Sequence, residues 1–278
     1  MEGSVLQDRV LAAIRSAERF DESLALAVFR FQARACEPYR RYVDLLGIDP
    51  AGVGSIGEVP YLPVEFFRSH RVWSAAGDRE PETVFTSSGT TGTETSRHYV
   101  CSTALYDEAF TRGFERFYGA AEGWSIFALL PSYMERSGSS LVWMVERLQA
   151  KNGACGGFYL YDHDKLTVDL EIAAQRGEKI LLIGVSFALL DYAEYLSGRG
   201  IALRLPADAV VMETGGMKGR RREVSRETMH DAFRHAFGVE RVHSEYGMTE
   251  LLSQAYSTGE GLFRCPPWMR VATRDLQS

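Results

Sequence analysis

The 278-residue chain lacks any apolar run approaching the ~20 residues that a bilayer-spanning helix requires. The longest, around Ile180 to Leu190, is interrupted by Gly184 and Ser186. Glu2 and Asp8 stand where a secretory signal would be basic and then apolar, so a cytoplasmic protein without a transmembrane segment is expected. Positive charge is also scarce. Lys and Arg number 31 against 37 Asp and Glu, for a net charge of −6. That balance disfavours the polyanionic surface of a nucleic acid as partner. The nearest approach to a basic stripe, Lys218-Gly219-Arg220-Arg221-Arg222, fits a solvated helix start, with a phosphate-facing role as the alternative. The four cysteines (Cys36, Cys101, Cys155 and Cys265) show no Cys-x-x-Cys spacing, which argues against zinc. In a cytoplasmic chain they are expected to be free rather than bridged. Internal repeats and low-complexity tracts are missing, and no Gly-Lys-Ser/Thr closes a glycine-rich loop into a Walker motif.

What is present is the composition of a soluble globular protein, 45% hydrophobic and 24% charged, long enough for one large domain or two intimate lobes. Residues 4 to 47 carry apolar positions at helical spacing (Val5, Val10, Leu11, Ile14, then Leu24, Val28, Phe29, Phe31) and read as two helices, the second stopped by Gly47. A loop-rich connection holds Pro50, Gly52, Gly54, Gly57 and Pro60. From residue 83 the pattern alternates. Strands are expected at 83–87, 97–101, 124–130, 156–161, 179–184, 208–213, 240–245 and 253–258, and helices at 103–118, 138–151, 164–175, 186–198 and 221–237. Alternation of this kind predicts an α/β fold with mainly parallel sheets flanked by helices. The expected division is an N-terminal helical segment over 1–50 and an α/β domain over 51–278. Ligands of such sheets bind at the carboxyl ends of strands.

Three segments fall at expected strand ends. Ser87-Ser88-Gly89-Thr90-Thr91-Gly92-Thr93 follows Val84-Phe85 and packs five hydroxyl residues and two glycines into seven positions. Glycine lets a backbone approach a phosphate closely, and successive exposed N–H groups form an anion-binding concavity. The second segment, Val210-Val211-Met212-Glu213-Thr214-Gly215-Gly216-Met217, runs an apolar strand into a double glycine on whose bare backbone a flat ligand can pack. The third is Glu245-Tyr246-Gly247-Met248-Thr249-Glu250, about 155 residues after the first. Tyr246 offers a face for an adenine, Thr249 a hydroxyl for an α-phosphate, and Glu250 a hard oxygen for Mg²⁺. Each segment alone also fits an ordinary polar turn or strand end. Their order and spacing together favour one shared nucleotide site.

At these residues the chain resembles the adenylate-forming superfamily, which carries a Ser/Thr/Gly loop, a Gly-Gly turn and a Tyr-Gly-x-Thr-Glu segment in this order. Within it, the chain is similar to the LuxE acyl-protein synthetases at Tyr61–His70, Leu129–Arg136, Gly184–Asp191, His243–Tyr256 and Cys265–Arg270. The resemblance implies the adenylate-forming enzyme N-terminal domain type of fold. It implies use of ATP with Mg²⁺ to make an acyl-adenylate from a fatty acid, then transfer to a protein cysteine and on to a reductase partner. It assigns Ser87, Ser88, Gly89, Thr90, Thr91 and Gly92 to the phosphates, and Gly215, Gly216 and Met217 to the adenine. Tyr246 and Gly247 fall to stacking, Thr249 to the α-phosphate and Glu250 to the metal. The superfamily often follows its first loop with Pro-Lys. Here Glu94-Thr95-Ser96-Arg97 stands in that place, and Arg97 is either a bidentate replacement for the lysine or a surface residue. Tyr133, with Arg136 nearby, and His243 are candidate pocket residues; loop shaping and core packing are their alternatives. Ser137 or Ser139 reads as a helix N-cap.

Family members continue beyond the point that matches Ser278, through a ribose-binding Asp, a hinge and an acyl-accepting cysteine. None is evident here, and a shortened chain or a short member is expected. Asp275 falls upstream of the ribose-binding position. Cys265 falls upstream of the acceptor position. Two other functions stay open: an acyl- or aryl-CoA ligase, and a non-catalytic nucleotide-binding module.

Overall fold

A computed structural model describes residues 2–74, 80–88, 95–132, 134, 136–151, 155–216 and 224–273. It divides into two units. The first comprises Met1–Arg112, Met248–Ser253 and Cys265–Ser278, and the second Gly113–Gly247 and Gln254–Arg264. Among the described residues no helix is long and apolar enough to cross a membrane.

The first unit opens with three helices, α1 (Glu2–Ser16), α2 (Glu22–Ala35) and α3 (Glu37–Leu45). Asp21 starts α2 by accepting a 3.0 Å hydrogen bond from the Leu24 amide. Two helices were expected over this stretch. The second is broken because Cys36 is extended, at φ −97° and ψ 106°. Pro38 then sits in the first turn of α3, where its missing N–H costs nothing; inside a continuous helix it would leave the Arg34 carbonyl without a donor. Leu26, Phe29, Ala33, Cys36, Tyr39, Val43, Val53 and Val59 form the core of this helical part. A short helix α4 (Phe66–Ser69) leads to strands β1 (Thr83–Thr86) and β2 (Arg97–Val100).

Among the described residues β1 and β2 pair only with each other, antiparallel, with Phe85 opposite His98 and Thr86 opposite Arg97. The expected single alternation from residue 83 is corrected here. Two strands joined by a short loop can pair antiparallel, whereas a parallel pair needs a crossover of a dozen or more residues. Helix α5 (Ala104–Tyr118) follows.

The second unit holds β3 (Trp124–Leu129), α6 (Ser140–Ala150), β4 (Gly156–Phe158), α7 (His163–Gln175), β5 (Lys179–Gly184), α8 (Ser186–Gly198), β6 (Val210–Glu213), α9 (Arg226–Phe237), β7 (Val242–Tyr246) and β8 (Ala255–Ser257). The sheet order is β4-β3-β5-β6-β7-β8, parallel except for the antiparallel edge strand β8. Trp-Ser-Ile-Phe-Ala-Leu in β3 is buried throughout, and Lys-Ile-Leu-Leu-Ile-Gly in β5 is buried after its first residue. Strands with no polar face belong in the middle of a sheet covered on both sides. Helix starts are capped by side chains: Ser139 for α6, as expected, Asp162 for α7 and Ser225 for α9. Gly238 ends α9 at φ 70°, a left-handed C-cap.

Gly156 marks a close approach. At φ +143° an added Cβ would run into the carbonyl oxygen of Ile126 on the adjacent strand. Gly156→Ala is therefore expected to lower stability by about 2 kcal/mol or more, through strain and a backbone clash. Thermal unfolding checks this, and a melting temperature equal to the parent's would refute it.

Candidate active site

Because β3, β5, β6 and β7 run parallel, their carboxyl ends share one edge of the sheet in the second unit. At that edge the chain leaves β6 through Glu213-Thr214-Gly215-Gly216. Gly215 and Gly216 adopt φ 71° and 85°, a pair of left-handed conformations that side chains resist. Hydrogen bonds hold the turn. Thr214 donates its amide to the Gly184 carbonyl at 3.0 Å, and Ser186 donates its amide to the Gly215 carbonyl at 3.1 Å. The Gly215 amide, in turn, donates to Glu213 Oε2 at 2.7 Å.

Glu213 is a buried carboxylate at the centre of this arrangement. Besides the Gly215 amide it accepts the Ser186 hydroxyl at 3.1 Å, and His230 Nε2 stands 3.7 Å from its other oxygen. Burial alone would raise its pKa. The polar groups around it (His230, Ser244, and the hydrogen-bonded Gly215 amide and Ser186 hydroxyl) outweigh that and pull it down to about 2. Glu245, two strand positions before Gly247 on β7, has the opposite fate. Burial, reinforced by the Glu213 charge, pushes it up to about 8, so it is protonated at neutral pH. A Cβ at Gly247 would meet Glu245 Oε1, so a side chain there would oblige the Glu245 carboxyl to shift.

Side chains alternate along β7. His243 shares a face with Glu245, and its Nδ1 lies 3.2 Å from the Tyr118 hydroxyl. Burial, then the Arg241 charge, lowers the His243 pKa, while burial and the Glu245 carboxylate raise that of Tyr118. Tyr246 turns the other way, is 43% exposed, and meets Phe263 edge-on at 6.2 Å. An exposed ring beside a positive-φ glycine turn on the neighbouring strand suits stacking of a flat base.

In the first unit, Ser87 closes the neck of the Ser/Thr/Gly loop. Its amide donates to the Ser96 carbonyl at 3.1 Å and its hydroxyl accepts the Ser96 amide at 3.0 Å. Ser88 and Arg97 are exposed. Gly89, Thr90, Thr91 and Gly92, together with Met217 and Tyr133, lie outside the described residues. Thr249 and Glu250 are half-buried, and the Glu250 carboxylate makes no hydrogen bond or ion pair among the described residues.

His98 is the residue that sequence reasoning missed. It lies on β2, directly after the loop, and its Nδ1 stands 2.8 Å from the Thr249 carbonyl oxygen. A carbonyl can only accept, so Nδ1 carries the proton. Burial lowers the His98 pKa against the opposing pull of Thr249 and the Glu250 charge, and the ring packs edge-on against Phe67 at 5.4 Å. Within the first unit, then, the hairpin carrying the first motif is tied to the Thr-Glu pair of the third. A histidine on a short strand beside a polar loop was the only sequence signal. Its partner is 151 residues away, which no local pattern discloses. Glu213 was visible as a lone acid closing an apolar strand, but the polar groups around it come from α8, β7 and α9.

Similarity to known proteins bears on these segments. Residues 5–113 match the LuxE acyl-protein synthetase family. The LuxE match takes in the Tyr61–His70 segment and the whole Ser/Thr/Gly hairpin with His98. The segments after residue 113 lie outside it. No curated protein matches the chain. Among solved structures, 2-hydroxyisobutyryl-CoA ligase in an open conformation, in complex with 2-HIB-AMP and CoA, aligns with a TM-score of 0.59 and 16% identity, over 85% of this chain and 56% of that one. The same ligase in the thioesterification state, with 2-HIB-AMP and CoA, gives 0.57 and 15%, over 93% and 53%. In the postadenylation state with 2-HIB-AMP it gives 0.59 and 15%, over 85% and 51%. The LuxE-like chain thus has the α/β fold of an adenylate-forming ligase and spans about half the length of these structures.

Proposed function

We propose that this chain activates a carboxylic acid with ATP, forming an acyl-adenylate and pyrophosphate. The observation that carries the reading is the His98–Thr249 hydrogen bond. It joins, inside one unit, the hairpin of a phosphate-type loop to a Thr-Glu pair suited to an α-phosphate and a metal. In the reaction a carboxylate oxygen bonds to the α-phosphorus as the bond to the bridging oxygen breaks and pyrophosphate leaves. Chemistry of this kind needs positioning and charge neutralisation more than covalent help. In this reading the loop from Ser87 to Gly92 binds phosphates through backbone amides, with Arg97 as an added cation. Thr249 contacts the α-phosphate, the Gly215-Gly216 turn continuing into Met217 receives the adenine, and Tyr246-Gly247 stacks on it. Tyr133 and His243 contact the acid.

Among the described residues no group of three His, Cys, Asp or Glu is gathered as a metal cage. Mg²⁺ that rides on phosphates needs only one or two protein carboxylates. Glu250, free of ion pairs among the described residues, fits that requirement. When bound, the ion would neutralise phosphate charge.

Similarity to LuxE favours a fatty acid as substrate, a protein cysteine as acceptor and an acyl reductase or carrier as partner. CoA is the alternative acceptor, and the solved ligase with a similar fold was captured with CoA. Pyrophosphate exchange over acids from acetate to long-chain and aromatic members tests the adenylation. Acid-dependent exchange is expected. Nucleotide binding without exchange for any acid, in folded protein, would leave a nucleotide-binding module instead. Adding CoA and assaying for an acyl-CoA product then separates the two acceptors.

The His98 clamp makes its own prediction. His98→Phe is expected to lower exchange by about 10- to 100-fold, the effect of losing a buried hydrogen bond at a positioning residue. His98→Asn, whose amide can replace Nδ1–H, should recover most of the loss. Equal loss in both variants would argue against positioning through Thr249.

A further inference from the structure

Among the described residues three arginines are half-buried, Arg30, Arg136 and Arg234. Two of them are satisfied. Arg30 donates to the Pro50 and Val53 carbonyls at 3.2 and 2.8 Å, and Arg234 pairs with Asp231. The Arg136 guanidinium makes no hydrogen bond or ion pair among the described residues. Burial holds its pKa below the usual arginine value, and no neighbouring acid offsets that. Arginine stays protonated at any working pH. The second unit therefore carries a poorly hydrated positive charge with nothing to neutralise it, which costs free energy until a partner arrives.

The place of this charge matters. Arg136 lies in the loop that leaves the carboxyl end of β3. Because β3, β5 and β6 are parallel, that loop opens on the same edge of the sheet as the Gly215-Gly216 turn. The backbone there is fixed. The Arg136 amide donates to the Ser132 carbonyl at 3.0 Å, and Gly138, at φ 84°, turns the chain into the Ser139 cap of α6. The N-terminus of α6 adds positive potential a few residues on. The strand ends are apolar: Leu129 and Leu130 close β3, Val185 and Phe187 follow β5, and all four are buried. One fixed cation at an apolar edge is a poor seat for a triphosphate, whose charge needs several donors. It suits a single carboxylate with a carbon skeleton behind it.

We propose that Arg136 receives the reacting carboxylate of the acid, its guanidinium N–H groups donating to the two carboxylate oxygens. The inference rests on the acyl-adenylate reading and adds to it the residue that recognises the group to be activated. The same charge offsets the repulsion between that carboxylate and the phosphates it must approach.

The test is pyrophosphate exchange by the full chain as parent, Arg136→Gln and Arg136→Lys, with acid and ATP varied separately. Arg136→Gln is expected to raise the KM for the acid about 10- to 100-fold and to leave the KM for ATP within about twofold. Arg136→Lys, which keeps the charge and loses the planar fork, should recover part of the loss. The melting temperature of Arg136→Gln should hold or rise, because the variant removes a desolvated charge that has no partner. An unchanged KM for the acid in Arg136→Gln, beside an active parent, would overturn the assignment and leave the adenylation reading standing. A rise in the KM for ATP alone would also overturn it, by placing the cation at a phosphate. So would failure to fold, or a lowered melting temperature with both KM values disturbed, either of which marks a loop-shaping role. Absence of exchange by the folded parent with every acid would remove the adenylation reading itself, and this inference with it.

Discussion

Glu250→Gln is expected to reduce acid-dependent pyrophosphate exchange by roughly 100- to 1000-fold, the range for removing one preorganised electrostatic contact to a developing charge. The amide keeps the shape and loses the charge that a hard divalent ion seeks. Stability should not change, because the carboxylate makes no hydrogen bond or ion pair among the described residues. A KM for ATP·Mg²⁺ that rises while folding is unaltered would complete the pattern. Exchange within threefold of the parent would remove Glu250 from the metal role and, with it, the strongest residue assignment of the proposed function.

The largest effect on stability is expected at the buried glutamate pair. The folded pKa of Glu245 is raised from 4.5 to about 8. The folded chain then holds a proton that the unfolded chain has released, so stability falls as pH rises from about 4.5 to 8, by on the order of 4 kcal/mol. Glu245→Gln mimics the protonated acid and should remove that slope. It should raise the melting temperature at pH 8.5 and change it little at pH 5. Glu213 works in the other direction. Its folded pKa is depressed from 4.5 to about 2, so its contribution is complete above pH 4.5 and is lost as pH falls toward 2, by about 3 kcal/mol. Glu213→Gln should therefore destabilise at pH 7 and flatten the acid limb. It leaves the Gly215 amide and Ser186 hydroxyl with a weaker acceptor, which also loosens the glycine turn. If Glu245→Gln showed the same pH slope as the parent, the protonated-acid assignment would be wrong.

Much of the second unit was legible beforehand. The helix expected at 186–198 and the strand expected at 179–184 occur with those bounds, as Ser186–Gly198 and Lys179–Gly184. Both are short-range statements: a buried central strand is apolar throughout, and a helix after a strand end has little choice of start. The break at Cys36 was less visible because apolar spacing persists across it, and Pro38 decides the matter two residues later. That the strands expected at 83–87 and 97–101 pair with each other could not be read beforehand, because strand composition says nothing about partners. Pairing is a property of the whole chain.

The same division runs through the candidate site. Residue order alone singled out the Ser/Thr/Gly loop, the double glycine and the Tyr-Gly-Met-Thr-Glu segment, the residue types that the proposed phosphate cradle, bare-backbone turn and metal-seeking acid would need locally. The LuxE similarity over residues 5–113 and the adenylate-forming fold follow from the same chain. Only the tertiary structure paired His98 with Thr249, placed the Ser186 hydroxyl and the His230 ring beside Glu213, and kept Glu245 protonated. Those are matters of burial and of contacts between distant segments. A side chain's protonation and partners depend on what the fold brings within a few ångströms of it, and sequence spacing does not carry that distance.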